Sequence, residues 1–157
     1  MLLLEDERKI LTKTVHGGEE EQHYGSSLVP AISQTSTFTF SSLEEFSNFK
    51  NGKHDSFEYG RYGNPTQRVA EKKISDLENA EDSLLFSSGM AAICSIFLAI
   101  LRSSQHIIIT RDCYRHTAQF CDTLRKFGIE TTVVLPNDLE ALSSAIRPET
   151  RLIFTES

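Results

Sequence analysis

The sequence predicts an α/β fold built as a partial, doubly wound and mostly parallel sheet, and three observations carry that prediction. From Ser83 onward, short apolar or β-branched runs of strand length alternate with segments of helical periodicity, which is the pattern of βαβ units. Capping or turn residues stand at the junctions, as at Asn64-Pro65 and Asn137-Asp138. In Phe86-Ser87-Ser88-Gly89-Met90-Ala91-Ala92, an apolar run stops, turns sharply and feeds a nearly continuous apolar stretch that ends at Leu101.

Taken in order, residues 1 to about 40 read as irregular. Thr12 to Val15 suits a helix end or an extended piece, Gly17-Gly18 breaks it, and Glu19-Glu20-Glu21 is a solvated acidic run. Ser33 to Phe40 alternates hydroxyl and apolar residues, which suits an extended segment. Ser42-Leu43-Glu44-Glu45 has capping-box spacing and predicts a short helix to about Lys50, stopped by Asn51-Gly52. His54 to Gly63 is a loop rich in glycine and tyrosine. Asn64 as cap, Pro65 at the first helical position and Gln67 three residues after the cap then open a helix carrying Val69, Ala70, Ile74 and Leu77 at helical spacing.

Asn79 to Asp82 is a turn into a strand over 83–86. A helix over about 90–101 follows, then a strand over 106–109, a loop over 111–114, and a helix near 115–127 closed by Gly128. Thr131 to Leu135 is a β-branched strand. Asn137-Asp138-Leu139-Glu140 is a second capping box, opening a helix to about Ile146, and Leu152-Ile153-Phe154 is the last strand. Right-handed crossovers put the strand C-terminal ends on one side, where such sheets bind ligands. The loops at 87–89, 110–114 and 155–157 are therefore expected to face one pocket. A strand of a parallel sheet usually hands on to a helix, so the end of the chain just after the last strand reads as a truncation.

The 157 residues suffice for a domain with a real core. The net charge of −6 and the scattered basic residues point away from nucleic acid. No apolar run is long enough to span a bilayer, and Met1-Leu2-Leu3-Leu4 is too short for a signal-peptide core. Cys94, Cys113 and Cys121 have neither metal spacing nor an even disulfide framework, which fits a reducing, cytoplasmic compartment, with Cys94 as a buried small hydrophobe. Dinucleotide-fingerprint and P-loop glycine patterns are absent, and Phe86-Ser87-Ser88-Gly89 lacks the leading glycine of a hydrolase elbow. The histidines show no metal spacing, and His106, which opens a strand, reads as structural.

The Ser88-Gly89-Met90 turn leaves backbone N–H groups without helical partners at the positive end of a helix dipole, a ready site for phosphate. Gly89 lets an anion approach the backbone. The same residues also suit a plain cap and turn. Tyr59 and Arg61 flank Gly60 and offer a phenol and a guanidinium fork to a phosphate, or form an ordinary solvated loop. Tyr114, after the 106–109 strand, can stack on a flat cofactor or serve as a packing tyrosine. Glu156, after the last strand, is a pocket-side carboxylate or a solvated one.

Together these residues resemble the Cys/Met-metabolism family of pyridoxal-phosphate enzymes, within the fold type I aminotransferase-like superfamily. The resemblance runs from about Thr14 to Ser157. It rests on Val15-His16-Gly17-Gly18, Tyr59-Gly60-Arg61-Tyr62-Gly63-Asn64-Pro65-Thr66, Ser88-Gly89-Met90-Ala91-Ala92, Asp112-Cys113-Tyr114-Arg115 and Phe154-Thr155-Glu156-Ser157. It implies pyridoxal 5'-phosphate as cofactor and a homo-oligomer, a homotetramer in the family, with intersubunit active sites. Residues 1–58 would serve subunit contacts, and 59–157 would be the first part of the large cofactor-binding domain.

By resemblance, Tyr59 and Arg61 would bind the phosphate held by a neighbouring subunit, and Ser88, Gly89 and Met90 would form the phosphate turn. Tyr114 would stack on the pyridine ring and help proton transfer, and Glu156 would lie on the cofactor and substrate side. The string Asp112-Cys113-Tyr114-Arg115-His116-Thr117 resembles synthase-type members, which join an activated homoserine ester to cysteine by γ-replacement. Sulfhydrylation of the ester and γ-lyase chemistry are the alternatives within the family. The family's Schiff-base lysine, the Asp that holds the pyridine nitrogen and the substrate-carboxylate Arg would all fall beyond residue 157. By itself, then, the chain is expected to be an inactive piece of an enzyme.

Overall fold

The computed structural model describes residues 2–18 and 27–156. The acidic run at Glu19-Glu20-Glu21 lies outside the described residues. The chain divides into two compact units, 1–85 and 86–157.

The first unit is helical. In place of the irregular start expected from the sequence, α1 runs from Leu2 to His16, followed by α2 (Leu43–Lys50) and α3 (Pro65–Glu78). What supports α1 lies far along the chain. Lys13 Nζ donates to the carbonyl of Asp76 at 2.8 Å and to Asn79 Oδ1 at 2.6 Å, and Lys73 Nζ donates to the carbonyl of Val15 at 2.9 Å. Gly17 and Gly18 end the helix, and Gly18 (φ 77°) passes so close to α3 that a Cβ would lie 2.6 Å from the carbonyl oxygen of Val69. Only glycine suits that backbone and that approach.

The α2 start forms as predicted, with Ser42 Oγ accepting from the N–H of Glu45 at 3.1 Å, and the Glu45 carboxylate turns back chiefly onto the N–H of Ser41. At α3, Asn64 Oδ1 caps the N–H of Thr66 at 2.8 Å, with Pro65 first in the helix. Gln67 does not close a capping box; its amide donates to Glu71 Oε1 at 2.9 Å. The Ser33–Phe40 segment, read as extended, is not helical and carries one isolated antiparallel bridge, Thr37 to Tyr59.

The second unit holds α4 (Gly89–Ile100), β1 (His106–Thr110), α5 (Arg115–Leu124), a 3₁₀ turn (Arg125–Phe127), β2 (Glu130–Val134), α6 (Leu139–Ala145) and β3 (Thr150–Phe154). The sheet is wholly parallel, in the order β2-β1-β3. The chain crosses from β1 to β2 through α5, then back over β1 to β3 through α6. Right-handed crossovers in opposite directions place α5 and α6 on opposite faces, which is double winding. β1 is therefore walled on both edges and both faces, and Ile107, Ile108 and Ile109 are fully buried. On one face, Phe97 of α4 stacks with Phe120 of α5 (6.2 Å between centroids) and meets Phe154 of β3 edge-on (5.2 Å). Leu101, Cys113, Cys121, Leu124 and Ile129 complete that core.

The predicted strand at 83–86 does not form. Both edges of β1 are taken, and Ser83 to Leu85 is instead tied to α3. Ser83 Oγ donates to the carbonyl of Glu71 at 2.6 Å, and the N–H of Leu85 donates to the buried Glu71 Oε1 at 3.0 Å. Cys94 is half-buried, not buried as the sequence suggested, and is not among the residues packed on the Phe97 core. The cap of α6 is Asp138, whose Oδ1 accepts from the N–H of Ala141 at 2.8 Å; Asn137 instead takes a turn conformation at φ 64°. Gly128 closes the 3₁₀ turn at φ 78°, as the sequence predicted for that end.

His106 is structural, as read from the sequence. Its buried ring spans the sheet, Nδ1 lying 2.8 Å from Thr150 Oγ1 on β3 and Nε2 2.9 Å from Thr132 Oγ1 on β2. Neutral imidazole donates at one nitrogen and accepts at the other, and each hydroxyl supplies the complement. Burial, helped by Arg147, pushes its pKa below the ordinary value of 6.5, while Glu130 and Glu149 oppose the shift. Once pH falls below about 6.5, the unfolded chain binds a proton that the folded chain resists, so stability is lost. Thermal unfolding is expected to move down as pH falls from 7 to 5.5, by up to about 1.4 kcal/mol per pH unit from this group. His106→Gln should flatten that part of the profile, and an unchanged profile would remove His106 as its cause.

Candidate active site

Three elements end or begin at the C-terminal side of the sheet. α4 starts from Ser88, whose extended backbone (φ −162°, ψ 160°) breaks into the helix and whose Oγ accepts from the N–H of Ala91 at 3.1 Å. The Ser88 carbonyl accepts from the N–H of Ala92, also at 3.1 Å. The N–H groups of Gly89 and Met90 between them meet no acceptor among the described residues. They form the positive end of a helix of 12 residues. A Cβ built on the exposed Gly89 would meet nothing within 4 Å, and its φ lies outside the left-handed region. Neither packing nor backbone demands glycine there. What the missing methyl leaves is open space in front of two bare donors, which fits a phosphate monoester.

α5 starts beside it. Thr117, fully buried in the first turn, places its Oγ1 3.7 Å from Met90 Sδ, so the starts of α4 and α5 are in contact. Tyr114 sits at the α5 cap position without a side-chain cap bond, its ring half exposed and packed on His116 at 4.9 Å between centroids. The N–H of Tyr114 donates to the Glu156 carboxylate, which arrives from the end of β3. The loops leaving β1 and β3 also meet at Thr110 and Thr155, whose hydroxyls are 3.4 Å apart. Burial, then Glu156, then Asp112 push the Cys113 thiol above its ordinary pKa, and Cys121 is pushed up to about 11, chiefly by burial. Neither thiol is a nucleophile at neutral pH.

The structure therefore brings Ser88, Gly89, Met90, Tyr114 and Glu156 together within the second unit. Tyr59 and Arg61 belong to the first unit. The Arg61 guanidinium lies 5.1 Å from the centre of the Tyr59 ring, a cation–π pair on an exposed loop. That loop is anchored by the N–H of Gly60 on the carbonyl of Ser36 at 2.7 Å and by the N–H of Phe38 on the carbonyl of Glu58 at 3.0 Å. Sequence reasoning passed over Thr117. Its signal was present as a threonine three residues after Tyr114, one helical turn into α5.

The parallel sheet and the solved structures it resembles define the class: the pyridoxal-phosphate enzymes of fold type I. The solved structure of a putative O-acetylhomoserine (thiol)-lyase from Campylobacter jejuni, which carries a pyridoxyl-lysine, superposes with a TM-score of 0.82 at 25% identity, over 93% of this chain and 36% of that one. A family profile for Cys/Met metabolism PLP-dependent enzymes matches residues 11–157. The chain belongs to that family, whose members depend on pyridoxal phosphate. It is 43% identical over 147 residues to cystathionine gamma-synthase 1, chloroplastic, of Nicotiana tabacum, covering 91% of this chain and 27% of that protein. It is 36% identical over 147 residues to an L-methionine gamma-lyase of Fusobacterium nucleatum, covering 93% of this chain and 37% of the lyase. The chain thus spans between about a quarter and a little over a third of the length of these relatives. No described helix is long and apolar enough to cross a membrane.

Ser88→Ala removes the α4 cap and is expected to cost about 0.5–2 kcal/mol in urea unfolding. Ser88→Asp should recover most of that loss, because its carboxylate can take the same N–H. Equal midpoints for Ser88→Ala and the parent would show that the cap does not hold this turn.

Proposed function

We propose that this chain supplies the phosphate-binding turn and the ring-facing tyrosine of an enzyme that joins an activated homoserine ester to cysteine by γ-replacement, giving cystathionine. The observation that carries the proposal is the contact between the bare α4 N-terminus and the start of α5, which puts two free N–H donors and a half-exposed phenol at one end of one sheet. When bound, pyridoxal phosphate supplies an electron sink for charge developing beside the substrate's α carbon.

The chain's own residues bind and orient. Gly89 and Met90 donate backbone N–H to the phosphate, and Ser88 fixes the turn that presents them. Tyr114 lays its ring against the flat face of the cofactor and holds a transferable proton on its phenol oxygen. Arg61 grips the phosphate with two N–H groups and Tyr59 adds a third donor, both reaching in from a neighbouring subunit of a homo-oligomer.

The choice of γ-replacement is supported by the synthase-like run Asp112 to Thr117 and by the higher identity to the tobacco synthase. The likeness to methionine γ-lyases supports a second reading, elimination from a γ-thioether. A polypeptide of the relatives' full length separates the two. With an O-acylhomoserine and cysteine it should form cystathionine faster than it releases thiol and ammonia from methionine; the reverse order would favour the lyase. The 157-residue chain by itself is expected to be inactive. Its three thiols, none in a disulfide, fit a reducing compartment such as the cytoplasm.

In that longer polypeptide, Arg61→Ala should weaken cofactor retention at least about tenfold, since a charge-assisted bond is worth roughly 1.5–3 kcal/mol. Arg61→Lys should recover only part, lacking the fork. Gly89→Ala should leave folding stability unchanged or slightly raised while weakening phosphate binding, because its methyl enters only the open space. Retention unaffected by either change would remove the phosphate assignment. Mixing Arg61→Ala subunits with subunits lacking the Schiff-base lysine should restore activity, because one site of each hybrid pair then keeps both groups. No recovery would place Arg61 in its own chain's site.

A further inference from the structure

Helix α5 opens without a cap of its own. Tyr114 holds the cap position, its phenol cannot turn back on the first-turn N–H groups, and no side-chain cap bond forms there. The N–H groups of Thr117 and Ala118 fold onto the Tyr114 carbonyl at 2.8 and 3.3 Å, but the N–H of Tyr114 itself points out of the helix. Its acceptor is the carboxylate of Glu156, which lies 42 residues further along the chain. Parallel pairing makes that reach possible. Ile109 pairs with Phe154, so the segments leaving β1 and β3 emerge side by side and Thr110 meets Thr155.

The carboxylate also lies at the positive end of the α5 dipole, where a negative charge is favoured, and the bond is charge-assisted. Glu156 also stands close enough to the buried Cys113 thiol to help raise its pKa, behind the larger effect of burial, which places the carboxylate beside the loop that leaves β1.

We infer that Glu156 is a positioning residue for Tyr114. By holding the backbone N–H of Tyr114 it sets where the half-exposed phenol ring starts from the sheet edge, and it need not touch the cofactor. The inference rests on the reading of Tyr114 as the ring-facing residue and assigns Glu156 a role different from direct cofactor contact. Thr117, buried against Met90, fixes the same helix start to the phosphate turn. Together the two contacts hold Tyr114 against both β3 and α4.

Amide-resolved NMR of the 157-residue chain tests the contact. The Tyr114 amide proton, bonded to a carboxylate, should resonate downfield. Glu156→Ala should move it upfield and speed its exchange with solvent at least tenfold, with Glu156→Gln intermediate because it keeps an acceptor without the charge. The Ile108 amide in the centre of the sheet should exchange as before in both variants, which separates local release from general loosening. A Tyr114 amide that does not respond to Glu156→Ala overturns the contact. If Glu156→Ala does not give a dispersed spectrum, Glu156→Gln carries the same test.

Visible circular dichroism of bound pyridoxal phosphate, in the longer polypeptide, tests the consequence. The cofactor band should lose intensity in Glu156→Ala and partly recover in Glu156→Gln. A wild-type band that is unchanged in Glu156→Ala overturns the positioning role alone. Absence of any cofactor band in the wild type overturns the cofactor reading, and with it this role, whatever the amide shows.

Discussion

Everything in the second unit depends on β1 being held on both edges by parallel partners. A central parallel strand is buried on both faces, and the run of three isoleucines at 107–109 fulfils that demand. Because β2 and β3 flank it in the same direction, the connections leaving all three strands emerge on one side. The convergence of Tyr114 and Glu156 follows from that geometry, as does the direction in which α5 and α6 return. The His106 ring secures the opposite end, bridging hydroxyls on both neighbours. One end of the sheet is thus closed by a neutral, buried bridge, while the other is left polar, open and carrying uncompensated donors.

That asymmetry is what makes chemistry possible at one end. The α4 N-terminus offers two N–H groups with no acceptor among the described residues, open to water or to an anion. The core beneath is apolar, with Phe97 contacting both Phe120 and Phe154, so the helix starts rest on a packed base. Buried cysteines at 113 and 121 are held as neutral thiols and act as packing groups.

Much of this could be read from the sequence, because the governing signals are local. Alternation of apolar runs announced the strands of the second unit, and Asn64-Pro65 and Ser88-Gly89 announced two helix starts that formed on those residues. What was not legible depends on partners distant in the chain. α1 looked irregular because its support comes from α3 through Lys13, Lys73 and the glycine pair at 17–18. Ser83–Phe86 looked like a strand because a local pattern cannot show that the edges of β1 are already occupied and that Glu71 claims the segment. Asn137 and Asp138 are both good caps, and only the φ of 64° at Asn137 decides between them. Glu156 was recognisable as following the last strand, but its bond to the Tyr114 N–H depends on strand register.

The central claim is that the open start of α4 receives the cofactor phosphate. Crystals of the protein grown with pyridoxal 5'-phosphate test it most directly. The account predicts phosphate density within hydrogen-bonding distance of the backbone nitrogens of Gly89 and Met90, with the pyridine ring facing Tyr114. A cofactor well ordered elsewhere, with those two nitrogens bonded to water or protein, would contradict it.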